Sequence, residues 1–275
     1  MYTGNISELN IPLDFLTKFV YNVGKAYILG VFLLQFFLDI HCHTTASGHA
    51  SNSIEQMLER ANDIGLKLCG ISDHGPAMPG SCPLSYFADL LKLPNYIKIP
   101  WLKGVEANII DTTGKTDMPD NILRQLDYSI ASIHGSLATF PPGNAALNTA
   151  AVIGAMQNPY INIIGHLGDP HVPIFVQPII TAAKETGTII EINNKSLKPG
   201  HRRNDGGAVI KEIITMCKTH GVAVIAGSDA HSAKEVGQLK YAKALIKKSG
   251  ISEDLVMNTN VNRFLNTLKG KRKNE

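Results

Sequence analysis

Seven histidines, Glu106 and Asp229 recur in short polar motifs along this sequence. The motifs are Asp39-Ile40-His41-Cys42-His43 with His49 downstream, Ser72-Asp73-His74-Gly75-Pro76, Gly104-Val105-Glu106-Ala107-Asn108, Ser132-Ile133-His134, Gly165-His166 and Gly227-Ser228-Asp229-Ala230-His231. His41 and His43 are two residues apart, so on a strand both rings point to one side and can share an ion. Imidazole together with carboxylate suits zinc, manganese or iron, whereas a calcium site would be all oxygen. Seven histidines and two carboxylates exceed what one ion of about four to six ligands can use. Two or three ions, a pair of them bridged by a carboxylate, would use them all. Such a cluster can activate water, clamp a phosphate and stabilise a leaving oxygen.

Each member has a plainer use. His74 or His166 alone could be a hydrogen-bonded structural histidine, and Asp229 could cap a helix starting near Ser232. Asp73 could relay a proton or orient a ligand, or serve only as a loop cap. The set as a whole resists these readings because of where the elements place it. Short apolar runs at 36–40, 67–71, 97–105, 128–133, 161–164, 188–192 and 223–226 read as strands. Amphipathic stretches separate several of them. Ser53-Ile54-Glu55-Gln56 has capping-box spacing ahead of a helix that Gly65 stops. Further helices are expected over 147–156, 176–186, 209–220 and 233–248. Alternation of this kind calls for a parallel sheet buried on both faces. Candidate ligands follow six of the seven expected strands, always at the C-terminal end, where parallel β/α barrels build their active sites.

The rest of the chain bounds the reading. With 275 residues, 44% hydrophobic and 18% charged, the composition excludes wholesale disorder and coiled coil. A net charge of +3 and the lack of a basic stripe interleaved with aromatics argue against a nucleic-acid partner. The four cysteines form no CxxC pair, so neither a disulfide framework nor a zinc knuckle is expected. Residues 26–38 are apolar apart from Gly30 and Gln35, too short a run for a membrane span of about 20 residues. A cleavage site at Ala46-Ser47-Gly48 would remove His41 and His43. The stretch therefore reads as native helix plus strand or an upstream extension, in a cytoplasmic protein without a membrane partner. Lys269, Lys271, Arg272 and Lys273 read as a solvated basic tail over 269–275.

These motifs, in this order over about 36–268, resemble the PHP (polymerase and histidinol phosphatase) family, and most of all its small stand-alone bacterial phosphatases. The resemblance implies an α/β fold, a distorted seven-stranded (β/α)7 TIM-like barrel of the metal-dependent-hydrolase type. It also implies a centre of three divalent ions, usually Zn2+, with Mn2+ or Fe2+ as alternatives. Carried over by position, His41 and His43 would hold the first ion with Asp229 and a bridging Glu106. Glu106 would share the second with His134 and His166, and His49, His74 and His231 would hold the third. The sequence departs from the family in His166-Leu167-Gly168, where His-Pro is frequent, and in the atypical extension over 1–35. The implied activity is hydrolysis of a small phosphate monoester by metal-bound hydroxide, with Asp73 and Asp229 as catalytic side chains. Cations after strand six suit phosphate, so Asn194, Lys195, Arg202 and Arg203 are the expected substrate contacts. Two alternatives stand beside this: an amidohydrolase-like C–N hydrolase, which the lack of a lysine in strand four disfavours, and a metal-binding regulatory module without turnover. Homo-oligomerisation is left open.

Overall fold

A computed structural model describes residues 34–95, 98–135, 137 and 143–272. The expected extension over 1–35 lies outside them up to residue 33, as does Lys273 in the basic tail. Seven parallel strands follow one another in chain order around the sheet. They are β1 (Leu38–Asp39), β2 (Leu68–Ile71), β3 (Trp101–Asn108), β4 (Tyr128–Ser132), β5 (Ile163–Ile164), β6 (Ile189–Asn193) and β7 (Val224–Gly227). The helices are α1 (Ile54–Asp63), α2 (Leu84–Lys92), α3 (Asp120–Leu123), α4 (Ala145–Gln157), α5 (Val176–Thr186), α6 (Gly207–His220), α7 (Lys240–Ser249) and α8 (Val261–Arg272). This is the expected (β/α)7 barrel, and every strand residue but two at the start of β3 is buried.

The barrel closes between β1 and β7 without a regular ladder. Near the C-terminal ends, Ala230 N–H donates to His41 O and His43 N–H to Ala230 O. Lower down, the Asn258 carboxamide stands in for a strand: it donates to Leu38 O and Ala226 O and accepts from Ala226 N–H. At the N-terminal ends, Leu38, Leu68, Tyr128, Ile163, Ile189 and Ile225 pack with Met257, Phe264 and Leu268. The last helix therefore stops the barrel at the end opposite the polar motifs. Tyr128 reaches across this core to donate to Ile40 O at 2.6 Å, into space left by the missing side chains of Gly70 and Gly104.

Several expectations change. The expected start of β3 at 97 lies outside the described residues; the strand begins at Trp101, after Pro100, which has no N–H to donate, and runs on through Glu106 to Asn108. The helix expected over 233–248 is split: Ala233–Glu235 forms a single 3-10 turn, and Gly237, at φ +73°, redirects the chain before α7. Helix α2 forms between β2 and β3, where no helix is expected. The basic tail is helical through Arg272, and Lys271 is buried, donating to Met156 O, Thr186 O and Thr188 Oγ1. No helix among the described residues is long and apolar enough to cross a membrane.

Candidate metal centre

All nine expected donors converge at the C-terminal end of the strands. Glu106, 1% exposed on β3, stands in the middle. Its Oε1 lies 3.4 Å from His41 Nε2, 3.4 Å from His134 Nε2 and 3.1 Å from His166 Nε2. Its Oε2 lies 2.8 Å from His74 Nδ1 and 3.5 Å from His43 Nε2. Asp229 Oδ1 is 3.6 Å from His43 Nε2 and 3.4 Å from His231 Nδ1. The Nε2 atoms of His49 and His231 face each other at 3.0 Å, and those of His134 and His166 at 3.1 Å. Three sets of donors lie within 4.8 Å of one another: His41, His43 and Glu106; His74, Glu106 and His134; and His43, His74 and His231.

Local backbone makes this possible. His166 (φ 28°) and Asp229 (φ 56°) are the non-glycine residues in the left-handed region among those described. Each lies two residues past a strand end, and the strained turn aims its side chain inward. Strain held at two donors is what a site requires and a core does not.

Electrostatics set the protonation states that cations want. Burial alone would raise the Glu106 carboxyl, but His41, His134 and His74 outweigh it and hold it well below the usual range. Asp229 is likewise held well below its usual value, burial being overcome by Arg203, His41 and Lys195. Burial, reinforced by His74 and His231, pushes His43 well down, and His231 falls to about 4, chiefly through burial. Burial lowers His134 and His49 too. His41 goes the other way, because Glu191 and Glu106 outweigh its desolvation. Ionised carboxylates beside mostly neutral imidazoles are the ligand-ready forms of both groups.

A cleft of about 510 Å3 opens beside the donors, lined by Ile133, His134, Gly135, His166, Asp169, His171, Arg202 and Arg203. Arg203 donates to Asp229 Oδ2 at 3.1 Å, and Arg202 pairs with Asp169 Oδ2 at 2.9 Å. Of the expected substrate contacts, only these two arginines line the cleft. Lys195 is turned to Asp229 O at 2.6 Å and His231 Nδ1 at 2.9 Å. Asn194 is spent on capping α7, its oxygen accepting from Tyr241 N–H and Ala242 N–H. Asp73, expected as a catalytic side chain, is fully buried. Its two oxygens are filled by Thr44 N–H, Thr44 O–H, Ser47 O–H and Tyr86 O–H, so it organises the loop that carries His43.

Sequence reasoning passed over several contributors. Glu191 on β6 lies 2.6 Å from His41 Nδ1, and a lone acid inside the buried run Ile-Ile-Glu-Ile-Asn was its signal. Asn108 contacts His134 Nδ1, and Ser47 contacts His43 Nδ1. His171 bonds Asp169 Oδ1 at 3.1 Å and reaches the cleft from a loop whose sequence follows no pattern.

The PHP domain pattern matches residues 39–195, more than half of the chain, and the PHP-associated pattern matches residues 211–242. The chain belongs to the PHP domain family. A probable phosphatase from Thermoanaerobacter sp. (strain X514) is 42% identical to this PHP protein over 241 residues, covering 87% of this chain and 97% of its own. One from Clostridium botulinum (strain Hall) is 39% identical with the same coverage. Among solved structures, this PHP barrel is similar to histidinol phosphate phosphatase from Lactococcus lactis subsp. lactis, crystallised with zinc, L-histidinol and phosphate. The TM-score is 0.53 at 18% identity, over 78% of this chain and 94% of that one. At that identity the likeness speaks for the fold.

Proposed function

We propose that this protein is a metal-dependent phosphatase that hydrolyses a small phosphate monoester. The observation that carries the reading is the set of orphaned atoms at the centre. His41 Nε2, His43 Nε2, His74 Nδ1 and Glu106 Oε2 are buried and none makes a well-aligned hydrogen bond, although His74 Nδ1 and Glu106 Oε2 approach to 2.8 Å. Buried polar groups left this way cost free energy, and nitrogen and carboxylate donors facing one another fit divalent cations. In this reading His41, His43, His49, His74, Glu106, His134, His166, Asp229 and His231 hold the ions, three in number and most compatible with zinc by donor type. Divalent ions there supply Lewis acidity, making water a better nucleophile at neutral pH and offsetting charge on phosphoryl oxygens.

The chain's own residues do the rest. Arg203, 13% exposed, presents its guanidinium between Asp229 and the cleft, where it can bind phosphoryl oxygens in the planar geometry they favour. Arg202, held by Asp169, closes the same wall. Lys195 keeps positive charge on the far side of Asp229 and steadies His231. The cleft has the volume of a small-molecule site, which suits a phosphorylated metabolite. The relatives named as probable phosphatases support the same chemistry.

Metal analysis of purified protein followed by a screen of phosphorylated metabolites and p-nitrophenyl phosphate tests this. We expect at least two tightly bound divalent ions per chain and turnover that chelation removes. Activity surviving alanine at both His41 and Asp229 would overturn it.

A further inference from the structure

Three of the histidines share an arrangement on the side of the ring turned away from the centre. His41 Nδ1 meets Glu191 Oε1 at 2.6 Å, and the other Glu191 oxygen accepts from His166 N–H and Asn193 Nδ2. His43 Nδ1 meets Ser47 Oγ at 3.1 Å, and Ser47 Oγ lies 2.7 Å from Asp73 Oδ1. His134 Nδ1 meets Asn108 Oδ1 at 2.8 Å, and Asn108 Nδ2 lies 2.6 Å from Asp117 Oδ2. We infer that these relays, one direct and two through a single neutral side chain, have one purpose: each ends on a carboxylate, buried at Glu191 and Asp73 and half-buried at Asp117, and fixes the ring proton on Nδ1, leaving the Nε2 lone pair for a metal ion. This rests on the metal-centre reading above and extends it to Glu191, Ser47, Asn108 and Asp117 as positioning residues.

The direction of each relay follows from counting hydrogens. Backbone N–H groups can only donate, and those of Thr44 to Asp73 and of Ala77 and Asn108 to Asp117 make both carboxylates acceptors. A serine has one hydroxyl hydrogen. Ser47 gives it to Asp73, so toward His43 it can only accept. Asn108 directs its NH2 at Asp117 and at Gly75 O, two acceptors, which orients the amide and leaves its oxygen for His134. Glu191 receives the His166 N–H and thus accepts from His41 as well. In each case the ring nitrogen facing away from the centre must be the protonated one. The opposite tautomer would aim an N–H at the ion and forfeit a ligand.

The two relays with neutral intermediates are separable by mutation. Histidine labelled with 15N in chelator-stripped protein, observed by long-range 1H–15N correlation, reports which nitrogen is protonated. The expected wild-type result is Nδ1–H at His43 and His134. Ser47→Ala and Asn108→Ala should release the His43 and His134 tautomers respectively and weaken Zn2+ binding about 10- to 100-fold in competition with a chromophoric chelator. Their circular dichroism should stay native. Nε2–H at His43 and His134 in the wild type would overturn the inference. So would wild-type Zn2+ affinity in both alanine variants. Neither readout uses a phosphate ester, so failure here is distinct from failure of the phosphatase reading. The tautomer spectra need no metal and decide the relays even for a chain that binds none.

Discussion

Replacing Asn258 by leucine tests whether one side chain holds the barrel shut. Asn258 is fully buried at the β1–β7 seam, and its carboxamide makes three bonds to the strands: from Nδ2 to Leu38 O at 3.1 Å, from Nδ2 to Ala226 O at 2.9 Å, and from Ala226 N–H to Oδ1 at 2.7 Å. Leucine has similar bulk and no polar atom. The substitution leaves one buried N–H and two buried carbonyls facing hydrocarbon. Each such group costs about 1–3 kcal/mol. Relaxation and the gain from burying a more apolar side chain, about 1 kcal/mol, pull the sum toward its lower end. The net loss should be about 3 kcal/mol, a large part of the roughly 5–15 kcal/mol that holds a domain together. Urea unfolding in the presence of chelator measures it without a contribution from bound ions. The seam also sets β1 against β7, and hence His41 and His43 against Asp229, so Zn2+ affinity should fall in the same variant. A change below about 1 kcal/mol, with an unchanged urea dependence, would refute the claim that the carboxamide substitutes for strand pairing.

Two further outcomes follow from the same contacts. Burial pulls the Lys271 ammonium from its ordinary 10.5 down to about 8. Between those values the unfolded chain binds more protons than the folded one, so this lysine makes stability rise with pH across that window and costs most below it. Lys271→Met should therefore gain up to about 3 kcal/mol at pH 7, less the value of three lost hydrogen bonds. Its advantage over wild type should shrink between pH 8 and 10.5, and a difference independent of pH would count against the buried ammonium. Arg203→Ala removes the cleft cation bonded to Asp229. A charge-assisted bond of about 1.5–3 kcal/mol predicts a loss of about 10- to 100-fold in kcat/KM, mostly as raised KM. Kinetics on p-nitrophenyl phosphate within twofold of wild type would exclude Arg203 from substrate binding.

Much of the barrel was legible because its signals are local. Six of the seven strands were found nearly in place from short apolar runs, and α1 from its capping box, which the structure forms in full with Ser53 and Gln56. The misses are non-local or depend on one residue's backbone. β3 begins only after Pro100, and Gly237 broke the helix expected over 233–248. Lys271 looked like tail because nothing within its own segment shows that Met156, Thr186 and Thr188 wait for its ammonium. The four expected substrate contacts show the same division. All lie after β6, yet only Arg202 and Arg203 line the cleft, while Asn194 is drawn away by the open N-terminus of α7.

The sequence by itself determined the inventory and the end of the barrel where it gathers. Parallel strands carry side chains to their C-terminal ends, so donors written after successive strands must meet there. The tertiary structure alone decided the partners. Glu106 faces five histidines from four strand ends, and His41 meets Glu191 across 150 residues of chain. Contacts of that separation exist only once the barrel is closed. The proton positions on the rings depend on them, and no local pattern encodes which carboxylate will stand behind which histidine.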